Sequence, residues 1–407
     1  MKRYVLAGAS SRGLQMFARP ITERFAGHAA LVGIYDPNRT RANVVSRACG
    51  GVPVFDDFAE MLAVARPDCV IVTTVDRYHH EYIIRSLQAG CDVITEKPLT
   101  IDEVKCRAIL AAERQSGRRV TVTFNYRFQP YATRIKELLR QGVIGTVLSV
   151  DFQWLLDTSH GADYFRRWHR RMENSGGLFV HKATHHFDLV NWWLEDEPEL
   201  VFALGERRFY GPTRPQRGTR CSTCEHQHTC EFYVDYASDP LLKALYFDAE
   251  HEDGYYRDGC VFADEIDIYD TMSATVRYRQ GAQLSYSLVA YSPYEGWHAA
   301  FNGTAGRLEL HEFHSGNEAR LPTQEIRLFN RRGELITYTV PKAQGGHGGG
   351  DERLQERLFS GRNWPDPLGH MADSWAGAIS ILIGVAANRS ARSGLPVRVH
   401  DLLREAD

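Results

Sequence analysis

The sequence predicts an α/β protein whose N-terminal part is a doubly wound parallel sheet. Three observations carry this. The apolar run Tyr4-Val5-Leu6-Ala7 ends in a glycine turn, Gly8 to Gly13. A second apolar run, Ala30 to Tyr35, stops at an acid, Asp36. Apolar runs and helical stretches then alternate to about residue 122. In order, a helical stretch Leu14–Phe25 joins the first two strands. Asp68–Thr74 is the next strand, and Glu81–Ala89 is a helix stopped by Gly90. Asp92–Thr95 is a strand, Ile101–Ser116 a helix ended at Gly117, and Val120–Phe124 a strand.

The glycine turn has a chemical reading. Gly8 permits a tight exit from the strand, and Gly13 lets the following helix approach the sheet. Ser10, Ser11 and Arg12 lie between them, at a helix start whose free N–H groups suit a pyrophosphate. Ser10 replaces the middle glycine of the usual triplet. Asp36 stands where a carboxylate accepts from ribose hydroxyls and repels a 2′-phosphate, which favours NAD over NADP. It lies beyond the usual spacing of about 20 residues, and Arg39 and Arg41 nearby leave room for NADP. Ligands of such sheets bind beyond the carboxyl ends of the strands, where Gly8, Asp36, Thr74, Lys97 and Asn125 fall.

Bulk properties narrow the function. The chain has 407 residues, 43% hydrophobic, enough for two or three domains. A formal net charge of −3 carries no basic excess and argues against a nucleic-acid binder. No apolar stretch reaches the ~20 residues of a membrane span. The apolar run after Met1-Lys2-Arg3 is too short for a signal-peptide core, so a cytoplasmic protein with reduced thiols is expected.

Several motifs occur together and in order. They are the glycine turn, Thr73-Thr74 with His79 beyond, Glu96-Lys97-Pro98, Asn125-Tyr126-Arg127-Phe128, Gly176-Gly177-Leu178 leading to His185-His186-Phe187-Asp188, and Ala376-Gly377-Ala378 to Asn388. With this set the chain resembles the glucose–fructose oxidoreductase / inositol dehydrogenase / MocA family. The resemblance implies an NAD-binding Rossmann domain over residues 1–122. It implies a second α/β domain over 123–407 with an open, mostly antiparallel sheet, often an oligomer interface, so a homodimer or homotetramer is expected. Val147–Trp154, Val201–Arg208, Ser273–Arg279, Ala282–Ala290, Ala299–Asn302 and Arg307–His311 read as its strands, and 214–263 as an insertion.

Oxidation of a carbinol needs a base for the hydroxyl proton and a seat for the nicotinamide. Lys97 is the first candidate, because burial beside a cation lowers a lysine pKa; the bland reading is a surface lysine paired with Glu96. The resemblance makes His185 a second acid/base. His181 stands where many members carry Asp, followed by Lys182. On one helix His181, His185 and Asp188 would share a face, as a proton relay, a metal site or core histidines. Glu96, Asn125 and Arg127 join the cofactor residues Gly8, Ser10, Ser11, Arg12, Gly13, Asp36, Thr73, Thr74 and His79. Tyr126, His160, Tyr164, Arg167, Trp168, His169 and Asp188 are candidate substrate contacts, since hydroxyls seek polar groups while sugar C–H faces stack on rings. The glycine loop Gly345–Asp351 is either a cover over the pocket or a plain connection.

Cys221-x-x-Cys224 and Cys230, in a polar stretch, and the later Cys260 offer four thiolates. A structural zinc is expected, with an iron–sulfur cluster as the alternative and four reduced thiols as the bland reading. Three functions compete. The leading one is an NAD-dependent dehydrogenase of a sugar, glycoside or cyclitol. The second is a redox-neutral glycoside-cleaving enzyme or epimerase working through a transient keto-sugar. The third is a non-catalytic NAD sensor.

Overall fold

The computed structural model describes residues 1–404; residues 405–407 of the expected second domain lie outside that range. Strands β1 (Lys2–Ala7), β2 (Ala29–Tyr35), β3 (Val54–Phe55), β4 (Cys69–Val72), β5 (Asp92–Thr95) and β6 (Val120–Val122) pair in parallel in the order 6-5-4-1-2-3. The central strands are buried on both faces because helices cover both, which is why they read as unbroken apolar runs.

Strands β7 (Val147–Asp157), β8 (Pro198–Glu206), β9 (Thr271–Tyr278), β10 (Gln283–Ser292), β11 (Gly296–Gly303), β12 (Gly306–Phe313), β13 (Thr323–Asn330) and β14 (Leu335–Pro341) form a second sheet. Only β7 and β10 run parallel in it; the other pairs are antiparallel. Its strands alternate buried and open positions, β9 most regularly, as a sheet with one covered face should. The short strand β15 (Ala372–Asp373) returns to pair antiparallel with β6, so the first sheet is completed by residues from near the C-terminus. A last strand, β16 (Val397–Arg398), pairs with β8. Between β15 and β16 the helix Ser374–Ser393 buries most of its length against both halves of the molecule.

Two local departures matter. The first helix is a π turn over Gly13–Ala18 followed by Arg19–Thr22, shorter than the stretch predicted to Phe25; Pro20 cannot donate to the preceding turn. The helix predicted to carry His181, His185 and Asp188 together is broken at Lys182 into Leu178–His181 and Ala183–Leu194. His181 and His185 stand on either side of that break and meet different partners, Asp76 and Tyr126.

Gly8 sits at φ +103°, and a Cβ there would lie 2.6 Å from the backbone of Thr73. Gly8→Ala should therefore destabilise the N-terminal domain and lower Tm. An unchanged melting curve would refute that.

Candidate active site

The strand ends of the first sheet meet residues of the second domain in one cleft. At the β1 end the glycine turn is held by Thr73, whose hydroxyl donates to the Gly8 carbonyl at 2.6 Å. Gly13 has Thr73 Oγ1 2.7 Å from where its Cβ would be, so it must be glycine for packing alone. Ser10 Oγ accepts from the Gly13 amide. At the β2 end Asp36 accepts from the amides of Ala9 at 2.7 Å and Asn38 at 2.8 Å, and burial pushes its pKa up. Arg12 donates to Glu96 and to Asp351, and Asn125 donates to Asp351 as well. The side-chain oxygen of Asn125 is buried without a partner, a free acceptor facing the cleft's polar cluster. The glycine-bounded turn, the buried acid after β2 and this orphan acceptor fit a dinucleotide laid along the strand ends.

A cluster of titratable groups lies at the end of β5. Lys97 Nζ is 3.2 Å from His181 Nε2 and 3.1 Å from the His181 carbonyl. His181 Nδ1 in turn meets Asp76 Oδ2 at 2.5 Å. Burial drives the Asp76 carboxyl up and the His181 imidazole down, so the pair resists carrying separated charges. Burial also lowers Lys97 to about 8, against the opposing pull of Asp76 and Glu96. A second lysine, Lys182, is buried with its ammonium 3.1 Å from the Tyr126 hydroxyl and over the Trp154 ring; burial lowers it to about 7. His185 stacks on Tyr126 with ring centres 4.2 Å apart, and its Nδ1 has no partner.

The flanking wall comes from the segment after β7. His160 bridges Glu295 at 2.9 Å and the Tyr164 hydroxyl at 3.1 Å. Trp168 stacks on His169, which packs on His181. Arg167 pairs with Asp163 at 2.9 Å. A cavity of about 340 Å³ opens between Tyr126, His160, Glu295, His314 and His347, large enough for a small polar ligand. The glycine loop is docked, because Asp351 is tied to Arg12, Asn125 and His347.

Some expected site residues do other work. His79 lies between the Pro98 and Thr74 carbonyls, at 2.9 and 3.1 Å, and the neutral ring that burial favours donates to one of them, so it bridges two strand-end loops. Asp188 gives both oxygens to Arg127, and the remaining Arg127 nitrogen donates to the Gly369 carbonyl, so this pair is bonded internally. His181, His185 and Asp188 each face a different partner and form no metal site.

The metal centre expected at the cysteines is not assembled either. All four line one small cavity, but among the described residues no three His, Cys, Asp or Glu side chains converge on a point. Cys221 takes the Arg166 guanidinium at 3.2 Å and Cys230 that of Arg214 at 3.6 Å, so cations rather than a metal face these sulfurs. The insertion is held instead by Arg166 on the Phe232 carbonyl, Arg214 stacked on Phe262, and Arg220 paired with Asp258. Its cysteines are free thiols. These residues do not fit zinc or an iron–sulfur cluster, and no chemistry is routed through one.

Sequence reasoning missed Asp76 and Glu295. Asp76 lies four residues beyond the end of β4, near the other strand-end groups, a position that could have flagged it. Glu295 comes from between β10 and β11, and nothing local marks it.

A Rossmann domain with a half-buried lysine and a histidine–carboxylate pair at its strand ends, beside a polar cavity lined mostly by the second domain, defines an NAD-binding oxidoreductase. Residues 2–124 match the family described as "Oxidoreductase family, NAD-binding Rossmann fold", and residues 136–399 its "C-terminal alpha/beta domain". The chain belongs to this Gfo/Idh/MocA oxidoreductase family. A Bacillus subtilis (strain 168) relative that carries the name oxidoreductase YteT is 42% identical over 99% of both chains. An inositol 2-dehydrogenase of Rubrobacter xylanophilus is 27% identical over 44% of this chain and 48% of its own. The solved WlbA dehydrogenase from Bordetella pertussis, in complex with NADH and UDP-GlcNAcA, superposes with a TM-score of 0.67 at 20% identity, covering 98% of each chain. The myo-inositol 2-dehydrogenase from Lactobacillus plantarum does so at 0.67 and 16%, covering 98% of this chain and 99% of that one. Among the described residues no helix is long and apolar enough to cross a membrane.

Proposed function

We propose that the chain oxidises a secondary hydroxyl of a sugar, glycoside or cyclitol, with Lys97 as the base. The observation that carries this reading is the contact of Lys97 with the Asp76–His181 pair at the strand ends. NAD, when bound, supplies the hydride acceptor. Lys97, with its pKa near 8, takes the hydroxyl proton from a bound carbinol. His181 orients the amine, and Asp76 fixes the imidazole tautomer. His160, Glu295 and the Tyr126–His185 stack form polar and aromatic walls that suit hydroxyls and sugar C–H faces.

The base must be neutral to accept the proton. Oxidation should therefore rise with pH and level off above about 8, the value to which burial lowers Lys97. A profile of kcat/KM from pH 6 to 10 tests this on a sugar and inositol panel, read as NADH formed. A flat profile across pH 8, with the nucleotide bound, removes Lys97 from the role.

Lys182 favours a second reading. It is a buried lysine with its pKa lowered to about 7, suited to removing a C–H proton next to a transient keto group. A redox-neutral cleavage or epimerisation would use both lysines and release no NADH. Product formation without NADH accumulation, lost in Lys182→Met, selects that reading; NADH equal to product selects net oxidation.

A further inference from the structure

The insertion does more than interrupt the second domain. Between Asp239 and Arg257 it crosses to the nucleotide side of the first sheet and lies against the groups that recognise an adenosine ribose. Tyr246 Oη accepts from the Ser11 amide at 3.1 Å and meets the Ser11 hydroxyl at 3.2 Å. The Asn38 side chain donates to the Ala249 carbonyl at 2.7 Å. Glu252 accepts from the amides of Arg39 at 2.6 Å and Thr40 at 2.9 Å. These are the first amides of the helix Arg39–Ala48, which begins just beyond Asp36. The next amide, Arg41, is taken by the Asn38 side chain.

The cations that would favour a phosphate each face a carboxylate. Arg41 donates to the Leu245 carbonyl, pairs with Asp253 at 2.9 Å and stacks on Tyr246 and Tyr255. Arg39 pairs with Asp56. The ribose end of the site thus presents Asp36 and Glu252, and the amides of Arg39, Thr40 and Arg41 already have partners within the chain. A 2′-phosphate brings about two negative charges to this place, against two carboxylates, with Arg41 already facing Asp253 and Arg39 facing Asp56.

We propose that Glu252, carried on the insertion, is a specificity-determining residue that makes the site take NAD(H) and refuse NADP(H). This rests on the reading that the dinucleotide lies along Gly8–Gly13 and Asp36. Asp36 excludes the phosphate from the strand side, and Glu252 excludes it from the helix side by occupying the amides of Arg39 and Thr40. In this view the insertion couples two parts of the chain far apart in sequence to one recognition task.

The test titrates the whole protein with NADH and with NADPH, following nucleotide fluorescence, for the wild type, Glu252→Gln and Glu252→Lys. Glu252 is partly exposed, and the glutamine is isosteric. The expected result is NADH affinity within about threefold in all three proteins. NADPH affinity should rise about tenfold in Glu252→Gln and further in Glu252→Lys, the order that removal and reversal of one charge demand. The wild-type discrimination should also shrink as salt rises, because exposed charges are screened over about 10 Å at 0.1 M. A structural prop would show no such dependence. The proposal is overturned if NADPH binding stays as weak in both variants while NADH binding is kept, or if both variants lose NADH as well. If the wild type binds neither nucleotide, the cofactor site itself has been misread, a different failure from that of Glu252.

Discussion

Replacing Lys97 by methionine should lower turnover by about 100- to 10,000-fold, the range that a positioned acid or base contributes. Methionine keeps the length and apolar stem but cannot take a proton. The loss should fall on kcat, with NADH affinity within about threefold, because Lys97 meets His181 rather than the glycine turn. Thermal stability should hold or rise, since a desolvated ammonium is removed from a site that already lowers its pKa to about 8. The check is steady-state kinetics on the responsive substrate beside a melting curve. Activity within tenfold of wild type would show that another group moves the proton. Asp76→Asn is a graded companion. It keeps the shape but alters the hydrogen bond to His181 Nδ1, so it should shift the pH limb and reduce kcat less than Lys97→Met.

The second large effect is on stability. Asp188→Asn should cost about 3–5 kcal/mol, because it removes the charge that balances a buried guanidinium. The Asp188 and Arg127 side chains are only 2% and 7% exposed, and the carboxylate accepts two donors from Arg127. Denaturant unfolding measures the loss. Replacing both partners, Arg127→Met with Asp188→Leu, should recover much of it, since the cost lies in leaving one charge alone rather than in losing the pair. A single variant within 1 kcal/mol of wild type would contradict this account.

Much of the fold was legible because its signals are local. A strand buried on both faces writes an unbroken apolar run, as in β1 and β4, and the glycine after β1 announces a turn no side chain can enter. Helix stops at Gly90 and Gly117 follow from their left-handed backbone. Strands β13 and β14 were missed, since the exposed face of β14 blurs its alternation. The β15 edge pairing was also missed, because two residues carry no period. The cysteine spacing suggested a metal, yet spacing in sequence says nothing of whether sulfurs converge. In the folded chain Arg166 and Arg214 face two of them.

The sequence by itself determined the Rossmann half, the family and the residue types at the strand ends: Gly8, Asp36, Lys97 and Asn125. Each is legible because one segment's backbone path puts it there. Only the tertiary structure decided what these residues meet. His181 meets Asp76 and Lys97; Asp188 turns inward to Arg127; and Glu252 reaches the start of a helix more than half the chain away. Local pattern sets the period of a segment, whereas such contacts depend on how segments pack, and packing energy is not encoded in any single one.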